Sequence, residues 1–158
     1  MTLGRYYSFD TSAFINGQRD LLPPDVLPKL WPQIASMIMM GEVQAVDVVR
    51  DELSQRDDGV FKWAKEQKTL FVPLTVAVQR ETRTVLKTYP KLVGIGGGRS
   101  GADPFVVALA MANDGTVVTE EHATGNREHP KIPDACAGLG VPCINLLAFI
   151  REQGWTFP

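Results

Sequence analysis

Short apolar runs alternate along the chain with longer stretches of helical periodicity, and this alternation limits the accessible folds more than any other feature. The short runs are Arg5–Phe9, Glu42–Val46, Thr116–Thr119 and Val141–Leu146. Thr69–Val72 reads as a strand or as a loop crossing the surface. Between them lie the helical stretches. Leu27, Leu30, Trp31, Ile34 and Ile38 recur at helical spacing in Val26–Met40. Asp47–Gln55, Phe61–Gln67, Pro73–Tyr89, Asp103–Asn113 and the short Pro133–Ala137 are also read as helix. Strands and helices in alternation imply an α/β fold with a mainly parallel sheet.

Turn chemistry divides these elements. Asp10-Thr11-Ser12 ends the first strand, and Ala13-Phe14-Ile15 opens a short helix that Asn16-Gly17 is expected to stop. Gly41 reads as a helix stop, and Asp57-Asp58-Gly59 as a break. The glycine-rich segment 94–101 must be a loop. A length of 158 residues suits a single domain, 1–158, with one substantial core. The chain is 44% apolar and 22% charged, as a soluble globular protein is. It has no membrane-length apolar stretch and no secretory pattern, so a cytoplasmic protein without membrane contact is expected. Cys136 and Cys143 fit no repeated zinc spacing and read as buried or half-buried thiols in a reducing compartment.

Acidic residues stand where the short runs end. In an open α/β sheet, groups at and beyond the carboxyl ends of parallel strands meet in one crevice. Carboxylates gathered there repel one another and are held ionised most easily by a hard divalent cation. Asp10 follows the first strand, and its two readings are helix cap and metal ligand. Asp103 precedes Pro104, as a cap precedes a first-turn proline, yet it shares a helical face with Val107 and Ala110. Glu120 and Glu121 follow Thr119; neighbours in an extended chain point oppositely, so at most one faces the site. Glu52 flanks the apolar face of its helix, with a surface acid as the plainer reading. Asp134 sits in a first helical turn, where the dipole favours it; a metal or water ligand is the alternative.

The joint pattern resembles a PIN domain. Tyr7-Ser8-Phe9-Asp10-Thr11-Ser12-Ala13-Phe14-Ile15 looks like the opening strand that delivers a first catalytic Asp. Val49-Arg50-Asp51-Glu52-Leu53 looks like the second-acid helix, Asp103 through Ala110 like the third-acid helix, and Val117-Val118-Thr119-Glu120-Glu121 like the strand that follows it. That match selects Glu121, although Asp is commoner at the position. The resemblance extends through Ile132-Pro133-Asp134-Ala135-Cys136 and is loose over 55–98.

The resemblance implies a three-layer α/β/α fold and a metal-dependent ribonuclease, often the toxin of a toxin–antitoxin pair. It assigns Asp10, Asp103 and Glu121 to Mg²⁺ or Mn²⁺, and Glu52 to metal or to the attacking water. Ser12, Thr119 and Asp134 become hydrogen-bonding groups behind the ligands. RNA is the implied substrate, and an antitoxin and a second copy of the chain are the implied protein partners.

A net charge of −2 does not advertise nucleic-acid binding. Arg80, Arg83 and Lys87, with Lys91 beyond, nevertheless line one side of a helix, either as an RNA-binding stripe or as a solvated face. Arg99 in the glycine loop is a further RNA-binding candidate. Two rival readings stand beside the nuclease. Gly96–Gly101 matches G-x-G-x-x-G, as in a dinucleotide site, but only a short run, Lys91-Leu92-Val93, precedes it. A PIN-like scaffold that binds RNA or protein without cleavage is the other. Trp31, Trp63 and Trp155 read as core or partner contacts, and the apolar helix around Trp31, Met37 and Met39 as core or as a dimer or antitoxin surface.

Overall fold

A computed structural model describes residues 5–93 and 101–158. The strands are β1 (Tyr7–Phe9), β2 (Val43–Val46), β3 (Phe71–Val72), β4 (Thr116–Val118) and β5 (Cys143–Ile144). The helices are α1 (Thr11–Asn16), α2 (Leu30–Met39), α3 (Asp47–Arg56), α4 (Asp58–Lys65), α5 (Val76–Thr88), α6 (Asp103–Ala112), α7 (Ile132–Leu139) and α8 (Leu146–Gln153). A π-helical turn spans Gly17–Leu21 and a 3₁₀ turn Pro90–Leu92.

All the strand pairings are parallel, in the order β3-β2-β1-β4-β5. The α/β class expected from the sequence is the class observed. From the central β1 the chain first builds outward through β2 and β3, then crosses to build β4 and β5 on the other side. The order therefore reverses between β1 and β4, in register Phe9 to Val118. A crevice opens beyond the carboxyl ends of strands at such a reversal.

The two faces of β1 are distinguished by alternation. Tyr7 and Phe9 turn toward α8: both rings lie edge-on to Phe149, at 4.8 and 5.2 Å between centroids. Ser8 faces the opposite way, and its hydroxyl donates to the Val106 carbonyl of α6 at 2.8 Å. The next residue on the Ser8 side is Asp10, so the strand aims Asp10 at the layer that contains α6. Burial of β1 on both faces is the ordinary condition of a strand in a parallel sheet.

Three expectations change. Asn16-Gly17 does not stop the first helix: Gly17 keeps helical angles (φ −61°, ψ −54°) and the chain continues into the π turn. A Cβ at Gly17 would lie 2.7 Å from Leu146 and 2.8 Å from Trp31, so glycine is present for close packing. The run Val141–Leu146 contains only a two-residue strand, and Leu146 begins α8, which the strand reading missed. Lys91-Leu92 of the short run before the glycine motif belongs to a 3₁₀ turn, so these residues do not form the strand that a dinucleotide site requires. The rest of that glycine motif, residues 96–100, lies outside the described residues.

Trp31 is buried in the core, and Trp63 and Trp155 are half-buried against it. Trp31 and Trp63 pack edge-on at 5.4 Å, and Trp155 meets Phe149 at 5.8 Å. On α2, Trp31, Ile34, Met37 and Ile38 are buried, whereas Met39 is 80% exposed. No helix among the described residues is long and apolar enough to cross a membrane.

Candidate metal centre

Asp10 is the residue after β1 and is 2% exposed. It stands at the N-cap position of α1 but makes no side-chain cap bond. Its Oδ2 instead accepts from Ser12 Oγ at 2.7 Å and Thr119 Oγ1 at 2.9 Å. The Asp10 amide donates to the Val118 carbonyl at 3.0 Å, which locks the end of β1 against the end of β4. Ser12 and Thr119 also brace the neighbouring backbone: Ser12 Oγ accepts from the Glu120 amide at 3.0 Å, and Thr119 Oγ1 from the Glu121 amide at 3.1 Å.

Alternation beyond β4 separates the two glutamates. Glu120 turns away, and its Oε1 accepts from the Leu146 amide at 2.7 Å. That amide opens α8, an end of the helix that favours an anion. Glu121 turns inward, and its Oε1 is buried without a hydrogen-bond partner among the described residues.

Asp103 is the first residue of α6, followed by Pro104; the N-cap is Ala102 rather than Asp103. Ligand oxygens of Asp10, Asp103 and Glu121 lie within 4.8 Å of one another. Glu52, on α3, accepts from Thr11 Oγ1 at 3.0 Å, which ties it to the residue beside Asp10.

The electrostatics follow from this crowding. Burial, then the charges of Asp10, Glu121 and Glu52, pushes Asp103 up to about 9, against the opposing pull of Lys131. Burial and the neighbouring Asp10 push Glu121 up to about 7, while Lys131 and the Ile132 amide pull the other way. Carboxylates in this condition retain protons at neutral pH unless a cation replaces them. Three hard oxygen donors and a buried oxygen lacking a partner fit a divalent ion such as Mg²⁺ or Mn²⁺. Opposed ligands on an ion with bonds of about 2.1 Å stand about 4.2 Å apart.

Asp134 belongs to the wall rather than to the cluster. Its Oδ1 accepts from the Gly125 amide at 2.8 Å and the Thr124 amide at 3.1 Å, and its Oδ2 from the Lys131 amide at 2.8 Å. Desolvation pulls its pKa upward, but these backbone donors hold it below the usual value. Arg80, Arg83 and Lys87 are exposed on α5, opposite the buried Val78, Thr82 and Val85. Arg99 lies outside the described residues. Sequence reasoning missed Lys131, the cation beside Asp103 and Glu121; its only signal was its place before Ile132-Pro133-Asp134. Cys136 is buried and Cys143 half-buried, and both are free.

Two solved structures share the fold. FitAcB from Neisseria gonorrhoeae aligns with a TM-score of 0.52 at 16% identity, over 88% of this chain and 96% of that one. VapBC2 from Rickettsia felis, bound to a DNA fragment from their promoter, aligns with a TM-score of 0.51 at 11% identity, over 89% and 98%. The fold is thus PIN-like, as the resemblance in sequence implied. No curated protein matches the sequence. One family profile does, across residues 7–157, and the chain belongs to that family, DUF4411, described as a domain of unknown function.

Proposed function

We propose that the protein is a metal-dependent endoribonuclease, acting as the toxin of a toxin–antitoxin pair and built as one PIN-like domain over residues 1–158. The observation that carries the reading is the convergence of Asp10, Asp103 and Glu121 oxygens at the sheet's reversal point. The toxin assignment draws on the fold shared with VapBC2 and FitAcB, which are toxin–antitoxin complexes. A cognate antitoxin and a second copy of the chain are the protein partners it entails.

Asp10, Asp103 and Glu121 hold Mg²⁺ or Mn²⁺, and Glu52 orients the attacking water or joins the ligands. When bound, the metal supplies an activated water and charge neutralisation for in-line attack on phosphorus. Ser12 and Thr119 fix the Asp10 carboxylate by donating to a single oxygen, which leaves the other free to ligate. Asp134 holds the wall beside the site, and Arg80, Arg83, Lys87 and Arg99 attract the RNA backbone.

The test is cleavage of single-stranded RNA by the full chain in Mn²⁺. Activity should vanish on chelation. It should fall by more than about a hundredfold in Asp10→Asn and Asp103→Asn, exceeding what loss of a group behind a ligand costs. Cleavage that survives chelation or either substitution refutes the assignment. RNA binding with no cleavage under any divalent metal would identify a scaffold instead.

A further inference from the structure

We infer that the segment joining β4 to α7 is a preformed arm on which Arg127 and Lys131 grip backbone phosphates of single-stranded RNA entering the acidic site. This rests on the nuclease reading and adds to it the residues that hold the substrate.

The arm is built before any ligand arrives. Asp134 gathers the amides of Thr124, Gly125 and Lys131 on one carboxylate. Thr124 Oγ1 donates across the turn to the His129 carbonyl at 2.9 Å, and Asn126 Oδ1 accepts from the Glu128 amide at 2.9 Å. Pro130 is buried beneath. A frame fixed in this way presents its cations without further ordering cost.

Both ends of the arm are placed. Arg127 is exposed, yet its Nη2 donates to the Thr88 carbonyl at 2.9 Å and its guanidinium lies 5.0 Å above the Tyr89 ring. That contact seats it on the last turn of α5, beside Lys87, where the Arg80–Arg83–Lys87 row finishes. One nitrogen is engaged, and the guanidinium has further donors to offer. Lys131 stands at the other end, immediately before α7, and the next amide, that of Ile132, faces Glu121. Positive charge therefore passes from α5 through Arg127 to Lys131 and the acids. Three residues separate the two cations, a span of at most about 14 Å of extended chain.

The acids make such cations necessary. Three clustered carboxylates repel a polyanion, and the approach must offset that field locally. No ion pair among the described residues engages Arg127 or Lys131. Glu128 is the opposing charge between the two cations.

The experiment is fluorescence anisotropy of the full chain with a labelled single-stranded RNA in Ca²⁺, repeated across salt concentrations. Arg127→Gln and Lys131→Gln should each weaken binding and flatten the slope of log affinity against log salt by about 0.7. Arg127→Lys should restore most of that slope. Manganese affinity, measured by calorimetry, should not fall in Lys131→Gln, because removing a cation cannot weaken an adjacent cation site. Unchanged slopes in both glutamine variants, while the wild type binds and cleaves RNA, overturn the arm and leave the nuclease standing. Faster amide exchange at Thr124 and Gly125 in Arg127→Gln, without rescue by Arg127→Lys, also overturns it, by making Arg127 a structural brace. Failure of the wild type to bind RNA removes both readings.

Discussion

Thr119 shows how much one hydroxyl can organise. It donates to Asp10 Oδ2 and accepts from the Glu121 amide, so it touches two members of the acidic cluster at once. Thr119→Val keeps the shape and deletes both bonds. Manganese affinity should fall by about 10–100-fold in a calorimetric titration. The far-UV circular dichroism should remain that of the parent. In the sequence Thr119 reads as a strand-end hydroxyl able to orient a neighbouring carboxylate, with a solvated strand end as the plainer reading. Asp10 was legible as an acid after a strand, but sequence could not divide its capping role from its ligating role. That division came from two hydroxyls more than a hundred positions apart along the chain, Ser12 and Thr119. For Glu120 and Glu121, alternation established that they must part company. Which one faced inward depended on α8, whose first amide claims Glu120.

At the scale of elements, strand identity and order of appearance were readable, while boundaries and the last helix were not. Ile144-Asn145-Leu146 continues an apolar run, so it resembles strand throughout. The helix begins there because Asn145 Oδ1 accepts from the Ala148 amide at 2.9 Å, and it ends at Gly154 with φ +72°. Both signals stood in the sequence, flanking Leu146–Gln153, but apolar continuity concealed them. Asn145→Ala should lower unfolding free energy by about 1 kcal/mol in urea titrations, with the slope unchanged. The α2 surface divides similarly. Its apolar excess proved to be core on Trp31, Ile34, Met37 and Ile38, and its exposed remainder is Met39 with the following Met40. Gly17 carries the same lesson: a residue that punctuates chains in general serves here as clearance for Trp31 and Leu146.

At the scale of the whole molecule, stability and metal binding are linked. Asp103 and Glu121 bind protons more tightly in the folded chain, near about 9 and about 7, than at their ordinary values of 3.8 and 4.5. The folded state is then the one that holds more protons between those limits, so stability declines with rising pH. The stabilising effect is complete below about pH 4 and is lost as pH climbs through 7 toward 9. Metal-free protein should therefore show a melting temperature that drops from pH 5 to 9, and Asp103→Asn should flatten the drop. Added Mn²⁺ should offset it increasingly at higher pH, since the ion competes with those protons. At a hundred times its dissociation constant the ion adds about 2.7 kcal/mol. A melting profile indifferent to Mn²⁺ across this range would contradict the metal centre.

The crossing from β1 out to β3 and back to β4 has a consequence for synthesis. Asp10 is made early, but the partner strand that fixes it arrives more than a hundred residues later, and the Asn145-capped helix that holds Glu120 later still. A ribosome-bound fragment cannot assemble the pocket, however much of its amino-terminal half has already condensed. Whatever chemistry the pocket carries out begins only after the helix that opens at Leu146 has been made.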